Sequence, residues 1–205
     1  DSNLQGVNAW TTALNDGVGN HNVGDEDIEE DGAWSSGRKS LTLGGMFTDN
    51  QNIHASSDGN YLLVADKGKN QIVRVDVASH SSEVILGPDT TNLRNVLDIT
   101  DDGTHYYTLA RASSTYSFTT YICKWDIATL ALVGSCNSSN VKYGVALTNY
   151  GGELFALQGG STATADRKVI ILDASDLTAT GDTIGYYTSL SAYSYASGID
   201  ADDAT

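Results

Sequence analysis

One imidazole and two carboxylates stand at the same place in a recurring pattern. They are His54 in IHASSDG, Asp98 in LDITDDG and Asp200 in IDADDAT, with Ala146 at that place in VALTNYGG. Converging side chains of these types bind a divalent cation or a polar ligand, and one of them can serve as the base of a hydrolase or lyase. A polar lining solvated by water accounts for the same residues. Three other groups could also do chemistry. Asp25, Asp27 and Glu29 lie in the acidic run DEDIEED (25–31), which offers the oxygens that Ca²⁺ takes from loops. The Gly and Glu spacing of an EF-hand is absent there, and a solvated acidic loop is the plainer reading. Tyr186, Tyr187, Tyr193 and Tyr195 crowd IGYYTSLSAYSYASG (184–198). Exposed, they would stack on a sugar or a protein partner; alternately buried, they would fill a core. Cys123 in TTYICKWDI and Cys136 in ALVGSC fall opposite each other if these are consecutive antiparallel strands turning near 128–130. Cross-strand Cβ atoms lie about 4.5–5.5 Å apart, so a disulfide is expected, and with it an oxidising compartment.

The elements that must position these groups are short strands. Residues 53–86 read as four β-rich runs separated by Gly, Asp, Asn and Ser clusters, which is the sequence form of an antiparallel meander. The unit recurs at 96–136 and 144–184 and begins again at 198. Asp58-Gly59, Asp102-Gly103 and Gly151-Gly152 mark the same turn. VRVDVAS (73–79), CKWDIAT (123–129) and IILDASD (170–176) superimpose, with Asp76, Asp126 and Asp173 in one column. Alternating apolar columns, Val73/Cys123/Ile170, Val75/Trp125/Leu172 and Val77/Ile127/Ala174, should form the packed face.

A four-stranded meander repeated at this length is a β-propeller blade, because stacked blades bury the faces that one sheet leaves open. The repeats resemble those of YVTN-type and NHL-like propellers in their DG-x-x-x-Y/L-V-A/T strand followed by V-x-V-x-D. The matching pieces are DGNYLLVAD…IVRVDVAS, DGTHYYTLA…ICKWDIAT and GGELFALQG…VIILDASD, and the resemblance covers 53–205. Lys124-Trp125-Asp126 is also similar to the Trp-Asp end of a WD-repeat strand, without that family's Gly-His partner. The fold expected is all-β, a β-propeller of three complete four-stranded antiparallel blades (53–95, 96–143, 144–197) with the start of another at 198. Residues 1–52 are expected to hold N-terminal strands and the acidic loop, as a partial blade or a closure. The preferred arrangement is part of a larger propeller. The other is a four-blade ring closed by strands from 7–14, 33–37 and 39–44.

Net charge is −15, from 26 Asp and Glu against 11 Lys and Arg, and the sequence shows no Lys/Arg cluster. Nucleic acid, which requires one, is excluded as a partner. No apolar run approaches the roughly 20 residues of a membrane helix. Gly-x-Ser-x-Gly, phosphate-loop and His-Glu-x-x-His motifs are absent. The leading expectation is a secreted or surface-exposed binding or structural module, a subunit of an extracellular assembly included, that presents loops to a protein or glycan. Its cofactors are none, or Ca²⁺. The alternative is a metal-dependent hydrolase or lyase with His54, Asp98 and Asp200 in the central channel that the propeller resemblance implies.

Overall fold

The computed structural model describes residues 49–112, 119–137, 141–158, 168–185 and 199. Within them the repeat becomes three four-stranded antiparallel sheets. The first contains β1 (Asn50–Ala55), β2 (Tyr61–Asp66), β3 (Gln71–Asp76) and β4 (Ser82–Leu86). The second contains β5 (Val96–Asp101), β6 (His105–Arg111), β7 (Thr120–Asp126) and β8 (Leu132–Asn137). The third contains β9 (Gly144–Tyr150), β10 (Glu153–Gln158), β11 (Lys168–Asp173) and β12 (Ala179–Gly185). In each sheet every strand pairs with its neighbour in sequence, and the leading strands lie side by side, β1 against β5 and β5 against β9.

Turn chemistry sets these lengths. Between first and second strands the chain reverses through Gly59 (φ 71°), Gly103 (φ 80°) and the Gly151-Gly152 pair, left-handed positions where a Cβ is costly. Between third and fourth strands an Asp closes the turn each time. The amide of His80 donates to Asp76 O at 2.9 Å, and those of Leu130 and Leu177 to Asp126 O and Asp173 O at 2.8 Å. The carboxylates of Asp76, Asp126 and Asp173 accept from the amides of Ser79, Thr129 and Ser175 at 2.6–2.7 Å. The Asp column of the repeat is therefore a turn device. A register shift marks the pairing of the last strand in all three sheets, and such bulges deter edge-to-edge association.

The core lies between sheets. Leu63, Ala65 and Ile72 of the first sheet meet Tyr106, Cys123 and Trp125 of the second. Leu109 and Ile122, on the far face of the second sheet, meet Leu147, Leu154, Ile170 and Leu172 of the third. Val73 and Val75 are buried on the first sheet's other face, as the alternation implies. Val77 departs from its column: it follows the end of β3 and is 46% exposed.

The expected disulfide is not formed. Cys123 pairs with Ser135, while Cys136 pairs with Ile122. Both cysteines are free. The register shift between Lys124 and Trp125 inserts one residue into β8 and displaces the pairing by one position. A one-residue slip moves a side chain to the opposite face. Cys123 accordingly packs in the core between the first and second sheets, and Cys136 against the core between the second and third. The Cys123 thiol instead donates to Asn92 O, 3.8 Å away. The inference of an oxidising compartment loses this support.

Candidate functional site

The leading strands enclose a cleft of about 560 Å³, lined by Asn52 to Ala55 of β1, Asp98 and Ile99 of β5, Leu147 and Thr148 of β9, and Ile199. His54 and Asp98, read from the repeat as equivalent, both reach it. Asp200, Tyr186, Tyr187, Tyr193, Tyr195, Asp25, Asp27 and Glu29 lie outside the described residues.

Asp98 is 2% exposed. One carboxylate oxygen accepts from Asn52 Nδ2 and from the amide of Ile99, both at 2.8 Å. The other accepts from the amide of Leu147 at 2.6 Å. Asn52 belongs to the first sheet and Leu147 to the third, so this carboxylate joins all three blades. Burial pushes its pKa up to about 6, against the pull of the hydrogen bonds from Leu147, Ile99 and Asn52 and the charge of His54. The geometry leaves little of its lone-pair capacity for a metal ion.

His54 is bonded to a second carboxylate, with Nε2 3.2 Å from Asp101 Oδ2. Asp101 also accepts from Ser57 Oγ at 2.5 Å, from the Ser57 amide at 3.0 Å and from the Gly103 amide at 3.0 Å. Burial favours its neutral form, but the bonds from His54, Ser57 and Gly103 outweigh that and hold it below the usual carboxylate range. Ser, Asp and His thus meet in an order that does not activate a nucleophile. The serine donates to the carboxylate, whereas catalysis requires it to donate to the imidazole. The group clamps the first blade's opening turn onto the second blade. Thr100 Oγ1 and Asn149 Oδ1, 2.5 Å apart, make a comparable link from the second blade to the third.

A further link lies at the turn end of the second and third sheets. Lys124, 9% exposed, donates to Ala174 O at 2.9 Å and Ser175 O at 3.3 Å, with its ammonium 5.7 Å from the Tyr107 ring centre. Tyr107 donates its hydroxyl to Asp102 Oδ2 at 2.7 Å. Burial and then the Asp102 charge push the phenol well above its ordinary pKa.

Among the described residues, no three His, Cys, Asp or Glu side chains converge as a metal-binding set. Reading the repeat column brought out His54 and Asp98 but missed Asn52, Ser57 and Asp101. The available signal was the doubled Asp101-Asp102 before Gly103, where the first repeat has Ser57-Asp58 before Gly59.

No family model matches the chain, and no curated protein does. Solved structures are similar in fold. One, "Structure of U3-55K", matches with a TM-score of 0.50 at 15% identity over 68% of this chain and 40% of that one. Another, "Crystal structure of RRP9 WD40 repeats", matches with a TM-score of 0.50 at 14% identity over 66% of this chain and 38% of that one. The chain thus spans about two fifths of the length of the solved chains it matches. Likeness at such identities speaks to fold alone. Taken with the three four-stranded meanders packed along their leading strands, it makes the chain part of a β-propeller.

Proposed function

We propose that this protein is a propeller module that binds a protein partner through its loops and serves as a structural part of an assembly. The observation that carries this reading is the use made of the cleft's polar groups. Asp98 and Asp101 are engaged in hydrogen bonds that join one blade to the next. Propellers that work as scaffolds need such rigid joints, because a binding surface made of loops is only as well defined as the blades beneath it. The repeat pattern supports assignment to YVTN/NHL-type repeats. An extracellular or surface location, and a glycan as ligand, belong to the same proposal. The first now rests on the charge of −15 and the second on the tyrosines of 186–195.

Cross-linking of the purified chain in extract of its source, read by mass spectrometry, tests the reading. Cross-links from loop residues to one recurring partner are expected. Their absence, together with turnover of a hydrolase or lyase substrate that is lost in Asp98→Asn, would favour the channel-centred enzyme. One observation speaks for that second reading: a carboxyl with a pKa of about 6 beside an open cleft lies in the range useful for acid–base catalysis.

A further inference from the structure

The blades are polarised along the direction of their strands. At one end lie the turns joining first to second and third to fourth strands, which carry Asp58, Asp76, Asp102, Asp126, Asp173 and Asp176. At the other end lie Lys67, Lys69, Arg94, Arg111, Lys142 and Lys168. These six cations are scattered over about a hundred residues of sequence, and the fold gathers them.

Hydrogen bonds make them one arc. The Asn95 amide donates to Asn70 Oδ1 at 2.8 Å, bringing the Arg94 loop to the Lys67–Lys69 turn. The Arg111 amide donates to Arg94 O at 3.2 Å. The Arg111 guanidinium donates to Gly144 O at 2.7 and 3.0 Å. The Lys142 amide donates to Gln158 Oε1 at 2.9 Å, and Gln158 pairs with Lys168 across the sheet. Among the described residues, the acids at this end offset Lys67 alone. Asp66 is buried, Asp89 is turned into its own loop to accept from Thr91 and Asn92, and Asp49 pairs with Lys67 at 3.0 Å. Arg94 and Lys142 are exposed.

We propose that this arc is the docking face for an acidic polypeptide segment of the partner, a proposal that rests on the protein-binding reading above. Charge selects the partner's chemistry, and the rest of the molecule selects its size. A short Asp/Glu segment can stay within the arc, where screening at physiological salt has a range of about 8 Å. A long polyanion such as duplex DNA would run off it onto a surface whose net charge is −15. A second copy could offer the arc only its own acidic turn end, and sedimentation showing a dimer that the triple variant loses would overturn the choice of a separate partner.

The test uses the full chain and a fluorescein-labelled oligoglutamate peptide, followed by anisotropy, with a duplex DNA oligonucleotide as comparator. Arg94→Glu/Lys142→Glu/Lys168→Glu cancels the positive charge of the arc, and Asp182→Lys on the trailing strand β12 is the control; circular dichroism and melting verify that both fold. The peptide is expected to bind the wild type and the control alike, more weakly as salt rises from about 50 to about 200 mM. The triple variant should lose roughly tenfold or more in affinity. Equal peptide binding by the triple variant overturns the proposal, as does tighter binding of DNA than of peptide. In the cross-linking experiment, a partner retained by the triple variant removes the acidic-segment proposal and leaves the binding reading standing. A partner captured by neither form removes the reading itself.

Discussion

The Asp98 carboxylate accepts a hydrogen bond from the Leu147 amide at 2.6 Å, across 49 residues of sequence and from one blade to the next. The same carboxylate holds Asn52 of the preceding blade at 2.8 Å. A residue that looked like a ligand or a base is therefore the point where three sheets meet.

Substituting Asp98 by Asn tests this directly. Asn retains one acceptor and gains two donors, and the donors must face the Leu147 amide or the groups at Asn52 and Ile99. At least one buried donor is left unsatisfied, so the variant should lose about 3 kcal/mol in denaturant unfolding. A variant as stable as wild type would show that the carboxylate is not needed for blade joining.

The Asp98 pKa, pushed up from 3.8 to about 6 in the folded protein, fixes the sign of a pH effect. Between those values the folded state binds the extra proton. The stability this group contributes is thus complete below the ordinary pKa and is lost as pH rises through about 6. The loss amounts to about 3 kcal/mol if the shift is fully expressed. Unfolding of wild type and Asp98→Ala from pH 4 to pH 7 should show their difference shrinking with rising pH in that window. Asp101 works in the opposite sense: its lowered pKa makes its contribution disappear as pH falls. A difference that grows with pH between wild type and Asp98→Ala would contradict the assignment.

Gly144, at the start of the third sheet, admits no side chain without displacement. A Cβ there would lie 2.9 Å from Thr120 Cγ2 and 3.0 Å from Leu109 Cδ1. Its amide and carbonyl are also held, by Thr120 Oγ1 and by Arg111. Gly144→Ala should destabilise by about 1–3 kcal/mol through overpacking, and Gly144→Ala/Thr120→Ser, which removes the nearest methyl, should recover part of the loss. Thermal melts of the two variants decide it.

The cysteines give a chemical check on register. Mass analysis of the native protein without reductant should find two free thiols, because Cys123 and Cys136 lie on opposite faces of their sheet. Burial pushes the Cys123 thiol up to about 12, so alkylation of the folded protein should label the half-buried Cys136 first. A mass two hydrogens lighter and a resistant disulfide would require a β7–β8 register different from the one described.

Much of the fold was legible because it repeats. The turn glycines and the Asp76/Asp126/Asp173 column each recur at a fixed place, and recurrence separates a structural device from an accident. Alternation assigns Val77 to the packed face with Ile127 and Ala174, yet it is 46% exposed, whereas those two, at the same place just beyond β7 and β11, pack in the cores between sheets. The disulfide was misread because counting from a turn assumes an unbroken ladder, and a single bulge in β8 inverts the facing of everything beyond it. The site was half legible. His54 and Asp98 share a column, but Asn52, Ser57 and Asp101 act across blades, where partners are close in space and far apart in sequence. The basic arc was invisible for the same reason, its six cations standing in separate connections and strand ends.

A double-mutant cycle between Asn52 and Asp98 measures the central claim, that the cleft's polar residues join blades, with the least interpretation. Asn52→Ala, Asp98→Ala and the double variant are compared with wild type by denaturant unfolding. Residues bonded at 2.8 Å across two blades should show a coupling of about 1 kcal/mol or more, the double variant being less destabilised than the sum of the singles. Strict additivity would mean that the two side chains do not act on each other in the folded protein, and would contradict the account.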